Sequence, residues 1–139
     1  MSGKALNLSA IEAKKGESQG RVWFDSKYGG RFLLDLSASR AFLAKQDRVE
    51  RFVRNRDGVK KGEKLSTLQA VEVVFRAYAG TYVVGWEQVN GENDQPILFD
   101  ETNFARVANA CDGLFQTIAA FVNEREETLQ EELKDLSGN

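Results

Sequence analysis

The clearest hydrophobic periodicity lies between Ser66 and Asn103. Leu68, Val71, Phe75, Tyr78 and Tyr82 recur at steps of three and four, the spacing of one helical face. Ser66 with Gln69 three residues later forms a capping box and marks where the helix begins. Val73, Val74, Ala77, Val83 and Val84 make much of the remaining circumference apolar, so this is read as the core helix, running into Gly85-Trp86-Glu87. A polar turn, Asn90-Gly91-Glu92-Asn93-Asp94, follows, and Pro96 closes it by pushing Gln95 toward an extended conformation. Asp100 is a good N-cap, with Phe99 just before it and Phe104 at the fourth helical position. That is the spacing of a hydrophobic staple.

Upstream the period is two. Leu8, Ala10 and Glu12 alternate with polar neighbours, and Arg21-Val22-Trp23-Phe24 and Arg31 to Leu36 are short apolar runs. Turn signals at Lys15 to Ser18 and Ser26 to Gly30 separate them. The pattern predicts a meander of two or three antiparallel strands over residues 6–36, with Trp23 and Phe32 as anchors into a shared core. From Ser37 the period lengthens, and Ser37 or Ser39 is placed to cap a helix reaching Arg56. Phe42, Val49, Phe52 and Val53 form its narrow apolar stripe, and Asp57-Gly58 ends it. A polar connector, Val59 to Lys64, leads to the core helix.

Beyond the Trp86 loop a third helix is expected over Glu101 to Ala110, with Phe104, Val107, Ala108 and Cys111 on one side. Asp112 is placed to cap a last helix reaching Leu136. Its first half carries Leu114, Phe115, Ile118, Phe121 and Val122; its Glu-rich second half has a thin stripe of Leu129, Leu133 and Leu136. The fold class expected is α+β: a small antiparallel N-terminal sheet packed on about four helices in a single domain. Residues 38–136 make the helical region, and residues 124–139 an acidic tail.

Composition narrows the chemistry. With no histidine, Ser-His-Asp and Cys-His catalysis are unavailable, as is the commonest metal ligand. One cysteine, Cys111, allows no intrachain disulfide and no thiolate metal site; it reads as a small buried hydrophobe and suits a reducing cytosol. No calcium-binding loop, phosphate-binding glycine loop or dinucleotide fingerprint occurs. The expectation is a protein that is not an enzyme, with no cofactor and no metal. Neither a membrane-spanning run nor a signal-type apolar segment is present in the sequence, and the net charge of −2 does not suggest a nucleic-acid binder.

Charge is nevertheless uneven. From Arg40 to Lys64 nine basic residues face four acidic ones, a local +5, whereas Glu124 to Asn139 carries six acidic and two basic residues, a local −4. Arg48, Arg51 and Arg54 are read either as a solvated face or as a contact surface for an acidic segment, including that of another copy.

The ordered set of RFLLDLS, a basic helix, AYAGTYVVGWEQV, a polar loop, PILFDETN and a last helix with FVNEREE resembles phage tail assembly chaperones of long non-contractile tails. Gly85, Trp86, Glu87, Pro96, Phe99 and Asn103 carry the likeness, Phe115, Phe121 and Glu124 more loosely; Asp100 stands where serine or threonine is more usual. The resemblance implies a binding role in the cytoplasm of the infected host cell: coating the tape-measure protein, recruiting tail-tube subunits, self-associating, and being absent from the mature virion. On that reading Phe115, Phe121, Leu129 and Leu133 are candidate contacts in a groove between the core helix and the last helix. Arg48, Arg51 and Arg54 are a candidate self-association surface, and Trp86, Phe99, Phe104 and Trp23 are structural anchors. The alternatives are a structural neck or tail component of the virion, and a phage protein that blocks a host factor.

Overall fold

A computed structural model describes residues 5–12 and 20–136, without the side chain of Leu129. The order is β1 (Arg21–Asp25), β2 (Arg31–Asp35), α1 (Ser39–Asp57), α2 (Thr67–Tyr78), β3 (Val83–Glu87), α3 (Glu101–Ala110) and α4 (Leu114–Leu136). A short 3-10 turn, Glu92–Asp94, sits in the loop before α3. The α+β class expected from the pattern is the class observed. Its sheet is fully antiparallel in the order β1-β2-β3.

The third strand comes from within the stretch read as a helix continuing to Trp86. The helix stops at Tyr78 because Gly80 takes a positive φ of 81° and the chain reverses there. The Thr81 hydroxyl donates to the carbonyls of Ala77 and Tyr78, and the Lys45 ammonium donates to that of Ala79, so the helix end is satisfied without another turn. Val83 and Val84, β-branched and awkward in a helix, then suit the strand. Leu33 and Leu34 pair with Gly85 and Val83, which leaves Val84 as the extra residue of a bulge.

Strand parity corrects a second expectation. Phe24 pairs with Phe32 and Phe32 with Trp86, so these rings share the inner face with Val22 and Leu34. Trp23 has the opposite parity. It lies 39 % exposed on the outer face, with the Arg31 guanidinium 4.5 Å from its ring centre, and does not anchor the core. Phe32 does, at 1 % exposure.

Two more local expectations change. Residues 8–12 are helical rather than extended, with the Asn7 side chain accepting from the amide of Ala10. The turn expected at Lys15 to Ser18 lies outside the described residues. Neither serine caps α1: Ser37 bonds the Asp35 carboxylate, and the N-cap position is Ala38. Asp112 does not cap α4 through its side chain either; its carbonyl accepts the Tyr28 hydroxyl at 2.5 Å, and Gly113 precedes the helix. Gly58 ends α1 in the left-handed conformation, the Ser66–Gln69 capping box forms, and Glu101–Ala110 is the observed extent of α3.

The main core lies beneath the sheet, where Phe32, Leu34, Val83, Phe104, Leu114, Ile118 and Val122 are almost wholly buried. A second, smaller cluster of Val49, Val53 and Val73 with Leu65 joins the outer halves of α1 and α2.

Candidate functional site

The segment that carries the resemblance folds into a closed clamp. The Trp86 Nε1 donates to the Ile97 carbonyl at 2.8 Å, and its ring meets Phe99 edge-on at 5.1 Å and Phe32 at 6.0 Å. Phe99 in turn lies 6.3 Å from Phe104, and Asp100 accepts from the Asn103 amide at 2.7 Å, which is the staple and cap expected. The Asn103 side chain donates to the Leu98 carbonyl and holds the loop from the other side. Trp86, Phe99 and Phe104 are therefore internal anchors. The loop needs unusual backbone to close: Gln88, Asn93 and Asp94 all have positive φ. Gly30 faces it so closely that a Cβ there would lie 3.2 Å from the Gln88 carbonyl oxygen.

The groove expected between the core helix and the last helix is filled. Phe115 sits 4.8 Å from Phe75 and 4.6 Å from Tyr78, and Phe121 sits 5.7 Å from Phe24. Both rings serve the main core, Phe115 against α2 and Phe121 against β1. Leu133 lines a shallow hollow on α4 with Gln130, Glu131 and Lys134; the side chain of Leu129 lies outside the described set. Further along the same helix the Tyr82 hydroxyl donates to Glu126 at 2.9 Å. Burial, and then that carboxylate, hold the Tyr82 phenol well above its ordinary range.

The basic face also divides. Arg48 and Arg51 are exposed on α1 with no ion pair among the described residues. Arg54 is not part of an open surface: it pairs with Glu50 at 3.0 Å and donates to the carbonyls of Lys60 and Glu63, fastening the connector. Arg56 binds Glu72 at 2.6 and 2.8 Å as well as Asp57. From Glu72 the chain of charges continues through Arg76 and Glu101 to Lys45, crossing α1, α2 and α3. Hydrogen bonds from Arg56 are the main reason that Asp57 and Glu72 are both held down to about 2.

A different groove stands open, between α2 and α3. It is a hollow of about 630 Å³ with Leu68 and Val71 on one wall and Thr102, Ala105 and Asn109 on the other. Leu68 is 82 % exposed, although the periodicity placed it on the core face; Val71 is 37 % exposed. Once the helix ends at Tyr78, the buried side becomes Val73, Phe75, Ala77 and Tyr78, and the Leu68–Val71 edge is left outside. Its signal was the apolar circumference of α2, wider than one core can cover. Arg106 and Ala110 also line a second hollow of about 340 Å³, across which the Tyr28 turn faces Val89, Ile97 and Cys111. Both hollows thus flank the C-terminal half of α3. Sequence reasoning passed over this face because Thr102, Ala105, Asn109 and Ala110 are short and individually unremarkable.

Among the described residues no cluster of metal-ligating side chains occurs, and no helix is long and apolar enough to cross a membrane. The chain matches no family model, no curated protein and no solved structure.

Proposed function

We propose that this chain is a tail assembly chaperone of a long-tailed bacteriophage. It binds the tape-measure protein in the infected cell, keeps its apolar helices dispersed and helps recruit tail-tube subunits. The supporting observation is the open α2–α3 groove, in which apolar side chains not needed by the core lie beside a helix face of short residues. A surface of this kind suits weak, repeated binding of amphipathic helices. The sequence likeness supplies the partner's identity: the residues that carry it, from Gly85 to Asn103, build the clamp that fixes where α3 begins. Arg48 and Arg51 offer a separate charged surface for contacts between copies.

Co-expression with a tape-measure fragment tests the reading. The fragment should become soluble and co-purify with this protein; unchanged insolubility would reject it. Mass spectrometry of purified particles should find the protein missing, whereas its presence in stoichiometric amount would favour a virion component.

A further inference from the structure

The α2–α3 groove carries enough chemistry to specify what it takes. We infer that it binds an amphipathic helix of a second polypeptide, with bulky apolar residues about one turn apart and an acidic residue set against Arg106. The inference rests on the chaperone reading for the partner being another protein, but its shape and charge requirements come from the groove.

Backbone satisfaction sets the form of the partner. Both walls are helices whose amides and carbonyls are bonded within themselves, so the groove offers no free strand edge for an extended peptide to pair with. A segment entering it leaves water along one side and must bring its own backbone bonds. A helix does. Leu68 to Arg76 spans roughly 12 Å at the α-helical rise, which matches about two turns of partner.

Side-chain size sets the complement. The α3 wall carries Thr102, Ala105 and Asn109 at steps of three and four, forming a trough, while Leu68 rises at its rim. Large apolar side chains on the partner, leucine, methionine or phenylalanine at i and i+4, fill such a trough; small ones leave it empty.

Charge supplies the last requirement. Glu72 and Arg76 also line the groove, but Glu72 is held by Arg56 and Arg76, and Arg76 by Glu72 and Glu101. That wall is internally neutralised. Arg106 is exposed and has no ion-pair partner among the described residues. The groove therefore presents one unmatched cation, which favours an acidic partner and disfavours a basic one.

The test uses the full chain, two peptide probes and two variants. A synthetic helical peptide with leucines at i, i+4 and i+7 and a glutamate set beside them should bind, read by fluorescence anisotropy. The same peptide with lysine in place of glutamate should bind at least about tenfold more weakly. Arg106→Glu should reverse that order, and Asn109→Trp, which fills the trough from an exposed position, should abolish binding of both with the melting temperature unchanged. Failure of the glutamate peptide to bind, or an order indifferent to Arg106→Glu, would overturn the inference. So would a wild-type dimer dispersed by Asn109→Trp in sedimentation, since the occupant would then be a second copy. Peptide binding that survives while the tape-measure fragment stays insoluble would reject the chaperone reading and leave the groove standing.

Discussion

The two hydrophobic clusters of this molecule are built from different materials. Beneath the sheet, Phe32, Phe104, Ile118 and Val122 lie in a cluster to which all seven strands and helices contribute aromatic rings, and among the described residues no charged side chain is buried in it. At the outer ends of α1 and α2 only three valines are buried, and the cluster is bordered by Arg56, Asp57, Glu72 and Arg76. The main core stabilises chiefly through apolar area removed from water, a term that involves no ion pair. The outer cluster buries far fewer side chains, and the ion pairs of Arg56, Asp57, Glu72 and Arg76 lie beside it. One chain thus sets a broad, aromatic core beside a small valine cluster with charged neighbours, and the second is the one expected to respond to pH. The open groove lies along the boundary, on the α2 edge between them.

The largest expected effect sharpens the main-core side of that contrast. Phe104→Ala, at a site with 0 % exposure, should lower stability by about 3–5 kcal/mol in urea denaturation. A loss below about 1 kcal/mol would mean that the sheet and α3 are not one cooperative unit. Val53→Ala should cost about 2 kcal/mol, and hydrogen exchange should accelerate chiefly in the outer turns of α1 and α2. Uniform acceleration through β2 and α4 would erase the distinction between the two clusters.

Acid should act on the outer cluster first. Asp57 and Glu72 are held down to about 2, below their ordinary values near 4, so the folded state favours their charged forms. Their contribution is complete above pH about 5 and is lost as pH falls through about 2. Glu72→Gln should therefore lower the melting temperature at pH 7, and the gap from wild type should close as pH falls toward 2. A gap constant with pH would show that the network contributes nothing. At the alkaline end the sign is reversed. The raised Tyr82 phenol adds stability below pH about 10 that is lost at higher pH, and Tyr82→Phe should flatten that decline.

Smaller effects follow at the clamp and the groove. Trp86→Phe keeps an aromatic ring, though a smaller one, and removes the indole N–H that bonds Ile97; it should cost at least about 1 kcal/mol. Leu68→Ser should change stability by less than about 0.5 kcal/mol, because 82 % of that residue is already in water. A larger loss would place Leu68 in the folding core and remove it from any binding surface.

Much of this architecture was legible from local rules. The staple of Phe99 and Phe104, the Asp100 cap, the Ser66–Gln69 box, the Gly58 terminus and the span of α3 depend on residues within a few positions of one another, and each forms as its spacing implied. Trp86 was recognisable as an anchor for the same reason: Pro96 and Phe99 follow closely enough for its partners to be inferred. Which apolar residues face inward was another matter. Val83 and Val84 fit a helix period and a strand equally well in sequence, and pairing with β2 decided for the strand. With the helix ending at Tyr78, its buried residues lie from Val73 onward, Leu68 and Val71 stay exposed, and Phe115 packs on Phe75. Trp23 was left outside by the parity of β1 against β2, which no property of the residue announces.

By itself, then, the chain determined its α+β class, the caps that open α2 and α3, the Gly58 end of α1, and the absence of histidine and of a second cysteine, because these are matters of composition or of contacts between near neighbours. Tertiary structure decided the third strand, the filling of one groove and the opening of another, and which arginines are tied down. Those outcomes turn on contacts between residues tens of positions apart, where an apolar or charged side chain meets whatever the fold brings to it.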